Sequence, residues 1–401
     1  MNADASGGDR GPAPPAGAPR FHAGGVLTLS VCHFIHDAYS SFLSPLLPLL
    51  IEKLSLSLTR AGFLTTVLQL PSLLSPYIGT LADRISVRWF IILAPMTTAI
   101  PMSLLGMAPG YGMLMLLLFL AGVSVAFFHV PAPVMVSRLA GPHKGRGMSF
   151  FMAGGELART LGPLAAVGGV ALFGLEGFYP LMTLGIGASL WLYLRFRDIP
   201  VRIDRPQPVS MGSAWHEMRH ILLPLSAILV LRGFMHASLT AFLPTFITGE
   251  TGDLWLAGTA LTIYESAGVL GVLAAGSISD RFGRRRVLMI SLLVAPLGLM
   301  AFASLDGWLR FTALALVGAT LLSTTPVMLA LVQEQARSSP SAANGFFMMI
   351  SFTARSAVVV IVGFAADQIG LRATYMLAAA IGAAAVPFVW RLPRRASASA
   401  V

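Results

Sequence analysis

Charge is scarce in this chain. Asp, Glu, Lys and Arg make up 11% of its 401 residues while 56% are hydrophobic, whereas soluble domains carry about 25% charged residues. One cysteine, Cys32, excludes an intramolecular disulfide and a cysteine-based metal cluster. No glycine-rich phosphate loop, nucleophile elbow or paired Cys/His cluster is present, so the sequence points away from ATP-driven or hydrolytic chemistry. An enzyme is not expected, and no cofactor is implied.

Long apolar runs take the place of charge. A helix needs roughly 20 apolar residues to cross a bilayer core about 30 Å thick. Twelve such segments are expected near 25–51, 61–82, 88–108, 112–138, 147–172, 177–196, 220–247, 255–278, 286–304, 309–332, 343–366 and 371–391. They are continuous and rich in Leu, Ala and Gly, without the alternation of membrane β-strands, so the expected fold class is an all-α polytopic membrane protein. The Gly/Pro/Ala-rich residues 1–24 lack an apolar targeting core and read as a disordered tail, with a second short tail at 393–401.

The formal net charge of +10 could suggest nucleic acid. The placement of the basic residues argues against that partner. With both termini in the cytoplasm, 20 Lys/Arg fall in cytoplasmic segments and four outside, namely Lys53, Arg60, Arg310 and Arg372. This is the asymmetry expected of a multi-pass inner-membrane protein. The expected partners are the bilayer, a small-molecule substrate and protons, and the chain is expected to act as a monomer.

Two halves repeat. Residues 25–196 and 220–392 each hold six expected spans, separated by a polar central loop at 197–219. "GTLADRISVRW" from Gly79 matches "GSISDRFGRRR" from Gly276, and "FFMAGGELAR" ending at Arg159 matches "FFMMISFTAR" ending at Arg355. "APVM" at Ala132 and "TPVM" at Thr325 keep the same order. Such repeats mark secondary transporters, whose substrate site lies at the repeat interface near the midplane.

With its six-plus-six plan and a Gly-x-x-x-Asp-Arg element after the second and eighth spans, the chain resembles the major facilitator superfamily. The first copy keeps Gly79, Asp83, Arg84 and Arg88, with Ser86 and Val87 in place of the expected Gly and Arg. The second is fuller, with Gly276, Asp280, Arg281, Gly283, Arg284 and Arg285. "HFIHDAYSSFLSPLLPLL", "FFHVPAP" and "GGELARTLGPL" are most similar to the fosmidomycin-resistance subgroup of drug efflux carriers. The resemblance implies two pseudo-symmetric six-helix bundles, with the two motifs acting as cytoplasmic gates. Topogenic charge flanking a membrane helix would also explain the arginines, but not the matched aspartates, which can accept charge-assisted hydrogen bonds.

Six ionisable groups other than His fall inside spans: Asp37, Glu156, Arg159, Arg232, Glu265 and Arg355. Each would cost about 3 kcal/mol or more if isolated in lipid, so they should face the bundle interior, pair, or line a watery cavity. Asp37 lies roughly 18 Å along the first span and is the strongest candidate proton carrier. His33 and His36 share its helical face, as helpers or merely as satisfied buried histidines. Their spacing permits a metal reading, but no second ligand cluster accompanies them and no metal is expected.

Glu156 and Arg159 are i,i+3 partners that either neutralise one another or serve the cavity. Repeat alignment puts Arg232 opposite His33 and His236 opposite Asp37, while Arg355 lacks the acid that Arg159 has. Arginine's planar fork suits carboxylate, phosphate or phosphonate, and the resembled subgroup includes export of a phosphonate antibiotic. Pro131 and Pro133 should kink the fourth span beside His129, which stands on a helix where related proton-coupled carriers have an arginine signature. Glu265 is the other titratable candidate. Gly154, Gly155, Gly162 and Pro163 form a small-residue face that resembles the antiporter Gly-Pro element or simply packs helices.

These residues lead to a proton-coupled carrier exporting a small anionic or amphipathic compound by alternating access. A uniporter or proton symporter importing an organic anion is the alternative, and a transport-inactive membrane sensor or assembly partner is a third reading.

Overall fold

The computed structural model describes residues 21–74, 78, 88–129, 131–141, 143–197, 211–335 and 340–392. Its helices are α1 (Ala23–Ser40), α2 (Leu43–Leu54), α3 (Leu58–Gln69), α4 (Arg88–Ser103), α5 (Tyr111–His129), α6 (Ala132–Leu139), α7 (Lys144–Phe173), α8 (Met182–Phe196), α9 (Met211–Thr251), α10 (Leu254–Phe282), α11 (Arg284–Ser304), α12 (Trp308–Gln335), α13 (Pro340–Ala383) and α14 (Val386–Val389). Among the described residues no strand occurs. Among the described residues ten helical stretches are long and apolar enough to cross a membrane. Gly370, at φ 77°, divides the longest of these into two arms, and α3 with the 3-10 turn Leu70–Leu74 belongs to a further, shorter crossing. The architecture is thus all-α with about twelve crossings.

Prolines set the breaks that matter. The first expected span is interrupted between Ser40 and Leu43. Pro45 supplies no N–H for the Ser41 carbonyl four residues back and crowds it sterically. The hydroxyls of Ser40 and Ser41 turn back onto the carbonyls of Asp37 (2.8 Å) and Ala38 (2.7 Å). The fourth span divides into α5 and α6 at Pro131, as its prolines suggested. Helix α9 begins at Met211, within the expected central loop; the rest of that loop, apart from Arg197, and both expected tails apart from residues 21–24, lie outside the described residues.

Chain direction puts the start of α1 and the end of α14 at one end of the bundle, the termini end, and the α2–α3 and α9–α10 turns at the other, the far end. Helices α1–α8 form one half and α9–α14 the other. Towards the far end the halves touch along three seams. Ser44 Oγ on α2 donates to the Ala241 carbonyl on α9 (3.3 Å), Thr66 Oγ1 on α3 donates to Ser356 O on α13 (2.8 Å), and Thr262 Oγ1 on α10 donates to Thr160 O on α7 (2.8 Å). At the termini end a cavity of about 950 Å³ lies within the second half, beside Arg281, Arg285, Glu334 and Trp390.

Candidate functional site

Helix α1 carries the core of the site. His33, His36 and Asp37 are all buried, at 3%, 0% and 6% exposure. The His33 ring stacks on Phe151 of α7, centroids 4.0 Å apart, and its Nδ1 lies 2.8 Å from the Phe151 carbonyl oxygen. A carbonyl only accepts, so Nδ1 carries the hydrogen and Nε2 is left to face Asp37 Oδ2 at 3.1 Å. His129, in the last turn of α5, repeats the arrangement. Its Nδ1 is 2.9 Å from the Val125 carbonyl and its Nε2 is 3.4 Å from the same Oδ2 of Asp37.

One carboxylate oxygen therefore receives two Nε2 atoms whose partner nitrogens are already committed as donors. If both rings were neutral and Asp37 ionised, three sets of lone pairs would converge with no hydrogen among them. A proton placed on Asp37 or on a ring would turn this convergence into a hydrogen bond. The His129 side chain is 41% exposed, against 9% for Asp37, so His129 is the member of the triad that reaches open space. His36 lies further off, Nε2 to Asp37 Oδ1 being 4.0 Å, and packs on Phe128. The three converging atoms of His33, Asp37 and His129 lie within 4.8 Å of one another, a span one divalent ion could also bridge.

Helix α7 can approach this closely because it lacks side chains there. A Cβ at Gly155 would lie 2.7 Å from His33 Cε1 and 2.9 Å from its Nε2. The small-residue face read from the sequence thus packs α7 onto the polar face of α1. On the same helix Arg159 and Glu156 form a direct ion pair. Glu265, 7% exposed on α10, and Arg355 on α13 lie within electrostatic reach of Arg159 across the half interface.

In the second half Arg232 is 6% exposed and meets only neutral groups among the described residues. Its Nη2 donates to Thr325 Oγ1 (2.9 Å) and its Nη1 to the Leu321 carbonyl (3.4 Å), while its Nε has no partner. The repeat is kept in space as well as in sequence, because α12 is the counterpart of the α5–α6 span that brings His129 to Asp37. His236 Nδ1 is 3.2 Å from the Tyr264 hydroxyl.

Of the first gate motif, Gly79, Asp83 and Arg84 lie outside the described residues. Arg88 opens α4 with its guanidinium 5.6 Å from the Trp89 ring centre. In the second motif Asp280 pairs with Arg284 at 2.5 Å, and Arg284 reaches Glu334 at 3.0 Å and the Ser279 hydroxyl. These contacts stay inside the second half.

Two groups of charges had no signal in the sequence. Glu250 takes Arg310 at 2.7 Å and Arg372 at 2.5 Å, tying α9, α12 and α13. Lys53 binds Glu176 at 2.6 Å and the Gly106 carbonyl at 2.7 Å. Three of the four basic residues assigned outside are thus paired ties at the far end. Asp367 on α13 accepts from backbone N–H groups of α3.

Known proteins agree with this architecture. The chain is 26% identical over 366 residues to the fosmidomycin resistance protein of Escherichia coli (strain K12), covering 88% of this chain and 89% of that one. It is 25% identical over 311 residues to the multidrug resistance protein MdtG of Citrobacter koseri, covering 72% and 75%. Among solved structures, a bacterial homologue of the human lysosomal transporter Spinster, inward-facing and occupied, superposes with a TM-score of 0.82 at 14% identity, covering 92% and 96%. The nucleoside transporter NupG gives 0.74 at 14% identity, covering 91% and 98%. The profile of the Major Facilitator Superfamily matches residues 29–258 and 225–401, and the chain belongs to that superfamily.

Proposed function

We propose that this protein is a proton-coupled secondary carrier that exports a small anionic or amphipathic compound by alternating access. The observation that carries the reading is Asp37 Oδ2 shared by His33 and His129, each fixed through Nδ1 on a backbone carbonyl. Such a triad offers a carboxylate and two ring nitrogens between which a proton can pass. Proton exchange with the surroundings runs through His129, the exposed member, and His33 fixes the buried side of the carboxylate.

The anion contact is assigned to Arg232, with Arg355 as the second base. Arg232 is held on Thr325 and Leu321 with one N–H unused and, among the described residues, no carboxylate paired with it. A buried guanidinium without a counter-ion favours an incoming anion, and its fork suits oxyanions. Positive-inside placement assigns the termini end to the cytoplasm, so seams closed at the far end correspond to a carrier facing inward. The similarity to a fosmidomycin resistance protein and to multidrug resistance proteins supports the outward direction.

The test is substrate-dependent proton movement in proteoliposomes, with phosphonates, organic acids and common antibiotics as the panel. Export by antiport predicts that an imposed pH gradient drives substrate opposite to protons. Movement in the same direction would assign proton symport, and substrate movement indifferent to the gradient would remove coupling altogether.

A further inference from the structure

The first turn of a helix leaves N–H groups with no partner inside the helix. In α3 the Ser57 hydroxyl accepts from Arg60 N at 3.2 Å, and the Ser57 carbonyl from Ala61 N at 3.0 Å. Leu58 and Thr59 remain. Their N–H groups donate to Asp367 of the opposite half, at 2.7 Å to Oδ1 and 2.8 Å to Oδ2, and the Thr59 hydroxyl adds a 2.5 Å bond to Oδ2. A residue 308 positions away in sequence thus caps α3, with its negative charge on the positive end of the helix dipole.

Three other far-end carboxylates act within one half. Glu176 holds Lys53, Glu250 holds Arg310 and Arg372, and Asp253 caps its own helix through Leu256 N at 3.0 Å. Asp367 crosses between the halves. Beneath it the seam is tight, since a Cβ on Gly363 would lie 2.4 Å from the Leu58 carbonyl oxygen. Asp367 is also exposed, so water can take over both the carboxylate and the α3 N–H groups when the halves part. A buried pair would resist that exchange; this one is reversible.

We propose that Asp367 is a positioning residue of transport, capping α3 across the half interface to hold the far end shut and so setting the share of carrier that faces inward. The word inward rests on the orientation given under the proposed function. The test uses a full-length Ser44→Cys carrier in right-side-out vesicles. Ser44 lies half-buried in the closed α2–α9 seam, and the native Cys32 is fully buried. A membrane-impermeant maleimide added outside should label Ser44→Cys about tenfold faster when Asp367→Ala is also present, the population shift expected from losing a cap of ordinary strength. Asp367→Asn, which keeps an acceptor but loses charge, should give a smaller rise, and Thr59→Val a smaller one still.

Equal labelling rates in the parent and a monodisperse Asp367→Ala carrier would overturn the proposal. If Asp367→Ala does not fold, the Asn and Val variants decide in the same way. The assay needs neither substrate nor pH gradient, so failure of proton coupling leaves it readable. Labelling only in inverted vesicles would reverse the orientation, with the Asp367 effect then read from that side.

Discussion

His129 Nε2 and His33 Nε2 approach the same oxygen of Asp37, at 3.4 and 3.1 Å, from two different helices. The two rings differ in one respect that matters for transport: His129 is 41% exposed and His33 only 3%. Replacing His129 should therefore interrupt proton exchange and leave the buried half of the triad in place. His129→Ala is expected to slow gradient-driven transport by about 10²-fold, the usual worth of a positioned proton-transfer group. Substrate affinity, measured by binding without a gradient, should change by less than about threefold, since the anion contact is in the other half.

Gly155 is required by distance. Adding one methyl there places it against the His33 ring, so Gly155→Ala should displace His33 or spread α1 from α7. An overpacked contact of this kind costs about 1–3 kcal/mol. A lowered melting temperature together with lost proton coupling is the expected pair of results, and Gly155→Ala with normal coupling would remove the steric argument.

Arg232 is expected to bind substrate through its fork as well as its charge. Arg232→Lys keeps the charge and gives up the fixed donors to Thr325 and Leu321. Equilibrium binding should weaken by about tenfold in the Lys variant and further in Arg232→Met, for anionic members of a substrate panel and not for neutral ones. Equal affinity across the three proteins would place the anion elsewhere.

Glu250 neutralises two arginines. Arg310 is only 6% exposed, so Glu250→Gln leaves a buried cation without its carboxylate. The expected loss is on the order of 2–3 kcal/mol, below the 3–5 kcal/mol of a fully buried broken pair because Glu250 keeps 25% exposure. Thermal unfolding in detergent measures it, and transport by surviving protein should keep its pH dependence.

Much of this was legible in the sequence. The apolar runs, the repeat and the polar face of α1 follow from periodicity and composition, and the kink beside His129 follows from Pro131 and Pro133. The break after Ser40 interrupts an apolar run that continues through it, and Pro45 is its one mark in the sequence. The Phe151 and Val125 carbonyls that fix the two histidines were beyond reach, since a backbone acceptor leaves no mark on residue identity. The role of Asp367 leaves no mark in the sequence, because its partners are the backbone N–H groups of a helix some 300 residues away. Arg310 and Arg372 read as flanking charge for the same reason: their shared acid comes from another helix.

Counter-flow of protons and substrate through Asp37 is the central claim. In proteoliposomes with an imposed pH gradient, Asp37→Asn should abolish gradient-driven accumulation of substrate while leaving gradient-independent exchange of labelled for unlabelled substrate within about threefold of the parent. Full gradient-driven accumulation by Asp37→Asn, with unchanged dependence on pH, would contradict it.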